Sequence, residues 1–424
     1  MRSCVLPMKA HVCLREDHIR EMNTLMQTYS QTTPRSMQTA GDARPKAVGR
    51  LLFIDNLRVF LTILVILFHL MITYAGTGSW YYTEGREDLV TGAIGAWFLT
   101  VTQAYFMGLF LLISAYFVPG SYDRKGAGRF LTDRFIRLGI PVALYSWIVR
   151  PILAYLDPIR FPVSRPAFWS FITGTYFRQQ PIFGAGPLWF IETLLIFSAL
   201  YVLWRSLIPG QPDKPAADSR LPGNRSIALF AIVLGVAAFL VRIWLPLGWN
   251  FVPLNLQFPF FVQYIALFVV GLIAYRRNWL LNLPEKTGGL WLGIALVSIL
   301  LFWPLALGGG ALQQGLEPFR GGLRWQALAY ALWESLLGVS MCIGLIYAYR
   351  RFADSQGKLA SFLSRNAYAA YLIHEMVIVA IAYAVRDIAF YPLVKWALVA
   401  LVAIPLCFVL GNLIRKLPYA DRVL

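Results

Sequence analysis

FIDNLRVFLTILVILFHLMITY, residues 53–74, decides how the rest of the chain is read. It is almost wholly apolar and long enough to cross a bilayer as one helix. It nevertheless carries Asp55 and Arg58 near its start and His69 well inside. An ionisable side chain at membrane depth is costly and usually faces protein or a water-filled cavity. Ten residues separate Arg58 from His69. Eleven steps of about 100° return to nearly the same helix face, ~16 Å further along the axis. Thr62 and Thr73 fall close to that face, so the helix has one polar stripe. A snorkelling arginine and a carbonyl-capped histidine would account for each residue singly. The shared face, and only 4 histidines in 424 residues, favour function.

The composition agrees with a chain that lives in lipid. Hydrophobic residues make up 58%, aromatic 15% and charged only 14%, against about 25% charged in soluble domains. The expected fold class is all-α, a polytopic bundle of about ten transmembrane helices, each satisfying its own backbone hydrogen bonds. Apolar segments of helical length fall near 53–76, 93–118, 136–156, 187–207, 226–245, 258–276, 289–307, 327–349, 362–385 and 391–414. Gly, Pro and charge mark the breaks, as in SLIPGQPDKPAADSRLPGNR and LGGGALQQGLEPFRGG. The formal charge of +17 is read as loop charge facing anionic lipid, not as a nucleic-acid footprint. Cys4, Cys13, Cys342 and Cys407 are scattered, which suggests no disulfide framework. His11 and His18 near the first two make no zinc spacing, so no metal is expected. Residues 1–50 are polar and expected to be a disordered cytoplasmic lead, with Met22 and Met37 as alternative starts. The membrane domain is placed at 51–416 and a short tail at 417–424.

Lysine and arginine orient the spans. Alternate breaks hold basic groups: Arg44, Lys46, Arg50; Arg124, Lys125, Arg129, Arg134, Arg137; Arg205, Lys214, Arg220, Arg225; Arg276, Arg277, Lys286; Arg350, Arg351, Lys358; Arg415, Lys416, Arg422. The other breaks hold fewer, such as Arg86 beside Glu84, Glu87 and Asp88, then Arg160, Arg165 and Arg178. That asymmetry predicts both termini in the cytoplasm and an even number of spans. Depths can then be compared. His69 lies in the outer half of the first span, His374 ~20 Å along the ninth, and Glu192 ~9 Å from the outer end of the fourth. Two histidines and one carboxylate therefore share a layer, and Glu334 is a further candidate there. Ala367 and Ala370, on the His374 face, would permit close helix approach. A second polar layer lies on the cytoplasmic side, where Arg58 joins Arg134 and Arg137, three apart on one helix face. Guanidinium groups present planar paired donors that suit phosphate.

FIDNLRVFLTILVILFHL (53–70), FLLISAYFVPGSYDRKG (110–126), TDRFIRLGIP (132–141), GPLWFIETLLIFSALY (186–201) and AYLIHE (370–375) occur in that order. Together they resemble the acyltransferase-3 family of integral membrane acyltransferases, nearest its glucan biosynthesis protein C-like branch. The resemblance covers roughly residues 50 to 415. Arg58 and His69 meet its arginine–ten–histidine motif, Arg134 and Arg137 its Arg-x-x-Arg pair, and Tyr371 to His374 its Tyr-Leu-Ile-His stretch. One departure stands in the second span: Ser114, Ala115 and Tyr116 replace the Ser-Gly-Phe of many members.

The resemblance implies an enzyme that takes a short acyl group, acetyl or succinyl, from cytoplasmic acyl-coenzyme A to a hydroxyl of an extracytoplasmic glycan or similar acceptor. It implies a multi-pass protein of the bacterial inner membrane. Arg58, Arg134 and Arg137 would hold the coenzyme A phosphates. His69 would act as general base or take the acyl group covalently, and both remain open. Glu192 would orient an imidazole or the acceptor. His374 and Tyr371 would do likewise or stabilise the oxyanion. Trp80, Tyr81, Tyr82 and Trp249 are read first as interfacial belt residues and second as sugar-stacking surfaces. The competing function is a transporter or exporter of a polysaccharide or small anion, since intramembrane His and Glu also serve proton relays.

Overall fold

The computed structural model describes residues 50–424 apart from 77, 79, 85–87, 157–163, 165, 180–183, 209–219 and 253. The polar lead, with Cys4, Cys13, His11 and His18, therefore lies outside the described residues, Arg50 excepted. So do Arg44, Lys46, Arg86, Glu87, Arg160, Arg165 and Lys214.

Ten helices among the described residues are long and apolar enough to cross a membrane. They are α1 (Leu52–Ala75), α2 (Leu89–Tyr116), α3 (Val118–Leu156), α4 (Gly186–Leu207) and α5 (Asn224–Trp244). The others are α6 (Phe258–Arg276), α7 (Glu285–Gly308), α8 (Trp325–Phe352), α9 (Lys358–Ala384) and α10 (Pro392–Ile414). The chain is a multi-pass integral membrane protein. α1 packs against α2, α8, α9 and α10, and Ile54, Leu57, Leu61, Ile66 and Leu70 are fully buried there. The outer helices behave oppositely. Leu229, Ile232, Val233 and Leu240 of α5 stay exposed, as an apolar face turned to lipid requires.

Where the spans depart from plain helix, side chains repair the backbone. α2 breaks at Ala104 and Tyr105, and the freed Ala104 carbonyl accepts a hydrogen bond from Gln263 Nε2 at 2.7 Å. A backbone group left open at this depth would cost several kcal/mol. α3 is longer than its apolar core suggests. The basic stretch SYDRKGAGRFLTDR is helical rather than a loop, bent at Gly126, whose φ of 73 favours glycine. Two π-helical stretches follow, Phe135–Gly139 and Tyr145–Val149. Their wider turns rotate Arg137 and Tyr145 relative to an ideal helix.

The departure at Ala115 finds its complement on α6. A Cβ placed on Gly271 would sit 2.7 Å from the Ala115 Cβ and would clash with the Leu112 carbonyl. The small residue that lets the two helices approach lies on α6 rather than α2. Gly271→Val is expected to lose about 1–3 kcal/mol of stability by overpacking, read as a lower unfolding midpoint in detergent. Ala115→Gly should change that midpoint far less.

Candidate active site

Two cavities lie at different depths along α1, one reached by His69 and the other by Arg58. The first, about 720 Å³, is lined by His69, Trp80, Tyr81, Gln103, Trp189, Tyr264 and Tyr371, among others. The second, about 410 Å³, is lined by Arg58, Arg134, Arg137, Lys125, Arg365, Asp55, Asp133 and Tyr371. Tyr371 borders both. Its ring stacks on His374 with centroids 5.6 Å apart, and its hydroxyl donates to the Pro187 carbonyl at 2.7 Å.

In the first cavity the two intramembrane histidines meet. His374 Nε2 lies 3.1 Å from His69 Nδ1. His374 Nδ1 lies 2.5 Å from the Tyr371 carbonyl oxygen, and His69 Nδ1 lies 2.9 Å from that of Val65. A carbonyl only accepts. With both rings neutral, His374 therefore carries its proton on Nδ1 and offers Nε2 as an acceptor. His69 Nδ1, facing two acceptors, carries a proton as well, and Nε2 of His69 keeps its lone pair. The tautomers are thus assigned from the hydrogen-bond network. His374 is wholly buried behind His69, which reaches the cavity. The Trp80 indole stacks on the His69 ring at 4.3 Å and 23°.

The second cavity gathers the arginines. Arg58 lies over the Phe117 ring at 4.8 Å and 3.6 Å from Asp55. Arg134 lies over Phe130 at 5.1 Å. Arg137 donates to the Leu424 carbonyl at 2.9 Å, so the end of the short tail docks on α3. Its own carbonyl accepts from the Tyr368 hydroxyl.

A basic cavity and a histidine cavity thus meet at Tyr371. The Acyltransferase domain family matches residues 51–412 of the chain. The chain belongs to that family. It is also 24% identical over 266 residues to the Glucans biosynthesis protein C of Salmonella gallinarum, an alignment covering 59% of this chain and 65% of the relative. The Salmonella heidelberg protein of the same name matches at 24% with the same coverage. This chain thus spans somewhat under two thirds of the length of these curated relatives. No solved structure matches it.

Several expectations for the acyltransferase change in three dimensions. Glu192 makes no hydrogen bond or ion pair among the described residues and lines neither cavity; its Oε2 is buried without a partner. Depth suggests a place beside the imidazoles, but Glu192 is not among the residues that line the His69 cavity. Glu334 pairs with Arg242 of α5 at 2.6 Å, both side chains almost fully buried. It is a structural ion pair with Tyr330 beside it. The Tyr371 hydroxyl proton is committed to Pro187, which leaves it unable to serve as an oxyanion donor in this arrangement. Trp80, read first as a belt residue, stacks on His69.

Other polar residues were not singled out from sequence. Arg242 and Lys395 sit within spans and are 2% exposed. Lys395 is ion-paired with Glu84. Glu375, next to His374, accepts from the Tyr145 hydroxyl at 2.6 Å. The rule that drew attention to His69, an ionisable group inside an apolar helix, applies equally to Arg242 and Lys395.

Proposed function

We propose that this acyltransferase moves a short acyl group, acetyl or succinyl, from acyl-coenzyme A at the arginine cavity to an acceptor hydroxyl in the His69 cavity. The observation that carries this reading is the histidine pair. One imidazole backs a second, whose remaining nitrogen is a free base beside a cavity large enough for a sugar. The relatives' name points to a glucan acceptor. Family membership favours transfer over transport.

The chemistry balances without an outside reagent. His69 Nε2 takes the proton of the acceptor hydroxyl as its oxygen attacks the thioester carbonyl carbon. The carbon–sulfur bond breaks, and the coenzyme A thiolate recovers the proton from the imidazolium. His374 Nε2 accepts from His69 Nδ1–H throughout and stabilises the transient positive charge, as a fixed neighbour does in other base pairs of this kind. The direct route needs no acyl-histidine. Arg58, Arg134 and Arg137 bind the donor's phosphates through charge-assisted hydrogen bonds, and Tyr371 lies where the thioester passes between the cavities.

In this reading the arginine cavity and both termini face the cytoplasm of a bacterial inner membrane. A reporter fused after residue 424 should be active on the cytoplasmic side only. Proteoliposomes loaded with labelled acyl-coenzyme A should label a glycan added outside; solute flux without label transfer would overturn the proposal. Arg134→Gln is expected to raise the KM for acyl-coenzyme A about tenfold, since one charge-assisted bond contributes about 1.5–3 kcal/mol. The acceptor KM should stay within twofold; an acceptor effect as large as the donor effect would contradict the assignment of this cavity.

A further inference from the structure

Glu375 is a buried ionisable group next to His374 that the transfer chemistry leaves unused. It is 2% exposed, its Oε1 accepts from the Tyr145 hydroxyl at 2.6 Å, and its Oε2 has no partner. A carboxylate kept at membrane depth is expensive and marks a working group more often than a packing one. The chain of contacts does not stop at Tyr145. The Tyr81 hydroxyl lies 2.8 Å from that of Tyr145.

The direction of each proton follows from counting. A tyrosine hydroxyl has one proton. With Glu375 ionised, Tyr145 gives its proton to the carboxylate, so in the second contact Tyr145 accepts and Tyr81 donates. Tyr81's proton is thereby turned inward, and its oxygen lone pairs remain for the cavity that Tyr81 lines together with His69. The Trp80 ring stands edge-on to Tyr81 at 5.6 Å while stacking on His69, so this acceptor oxygen and the base flank one aromatic plate. The local backbone is shaped to the chain of contacts. Tyr145 begins a π-helical stretch, and Gly186, at φ +48, leaves the space in which a Cβ would come within 2.5 Å of the Tyr145 hydroxyl.

We propose that the Tyr81 oxygen, oriented through Tyr145 by Glu375, is a hydroxyl-binding subsite that takes a hydrogen bond from a second hydroxyl of the acceptor. The inference rests on the reading of the His69 cavity as the acceptor site and narrows its substrate class. The acceptor is a polyhydroxylated ring with one hydroxyl at His69 and another at Tyr81, rather than a lone alcohol. Tyr81 touches substrate; Tyr145 and Glu375 are positioning residues.

The test uses the full chain in nanodiscs with acetyl- or succinyl-coenzyme A, whichever the unsubstituted protein uses, and two acceptors, a glucose oligomer and glycerol. Glycerol offers hydroxyls but no ring to span the two positions. Tyr81→Phe is expected to raise the KM for the oligomer five- to tenfold and to lower kcat less than threefold, with the glycerol KM shifted less than twofold. Glu375→Gln should raise the oligomer KM in the same way, yet add less than twofold in the Tyr81→Phe background, because both act on one hydrogen bond. A purely structural role would move both acceptors together or lower the unfolding midpoint. An unchanged oligomer KM in Tyr81→Phe, or equal shifts for both acceptors, overturns the subsite while leaving the acyl-transfer reading intact. Failure of the unsubstituted protein to acylate either acceptor from either donor overturns both.

Discussion

His69→Ala should lower acyl transfer about 10²- to 10⁴-fold, the range a positioned general base contributes. The donor should still bind, because Arg58, Arg134 and Arg137 belong to the other cavity. His374 provides the finer test. It holds His69 in the tautomer that leaves Nε2 free, through the 3.1 Å contact. His374→Ala removes the acceptor for His69 Nδ1–H except for the Val65 carbonyl, and a loss of at least tenfold is expected. His374→Gln retains a carbonyl oxygen that can accept from His69 and should recover part of that loss. Transfer assayed in membranes, with acyl-coenzyme A binding measured in parallel, decides the matter. Full transfer by His69→Ala would remove His69 from the chemistry. Identical losses for His374→Ala and His374→Gln would show that His374 acts by bulk rather than by accepting a hydrogen bond.

The second large effect concerns stability. Arg242→Met leaves Glu334 buried without its countercharge, and breaking such a pair costs about 3–5 kcal/mol. The Arg242 side chain also bonds the Pro259 carbonyl at 3.2 Å and lies 5.4 Å from the Phe260 ring and 5.8 Å from that of Tyr330. Phe260 and Tyr330 both line the His69 cavity, so the loss should extend to acceptor handling. The double substitution Arg242→Met with Glu334→Gln removes the stranded charge and should recover most of the stability. Unfolding midpoints in detergent for the unsubstituted protein and these two variants make the comparison. A double variant no more stable than Arg242→Met alone would mean that the single loss comes from packing, not from charge.

The legible part of this architecture came from quantities that run along one dimension. Hydrophobic length marked ten spans because each helix in lipid must close its own backbone hydrogen bonds. Helical rise set His69 and His374 at comparable depth, and the structure brings them into contact. What stayed hidden was direction around each helix axis. Glu192 and Glu334 share that layer by depth, yet Glu192 lines neither cavity and Glu334 pairs with Arg242. Their azimuths depend on which neighbour packs where, and on the π-helical stretches in α3, which periodicity does not announce. Glu375 carries no signal of its own in the sequence beyond its place after His374. Its partner, Tyr145, lies 230 residues away in sequence.

Sequence by itself determined that the chain is a multi-pass membrane acyltransferase of this family. It also placed histidine and arginine at separate depths, since apolar length, helical rise and ordered motifs are properties of the chain alone. Only the tertiary structure decided which polar groups meet. It joined His69 to His374, Glu334 to Arg242 and Tyr81 through Tyr145 to Glu375, because pairing inside lipid depends on how each helix is rotated against its neighbours. Those rotations are set by packing, such as Gly271 against Ala115, and not by any one segment's composition.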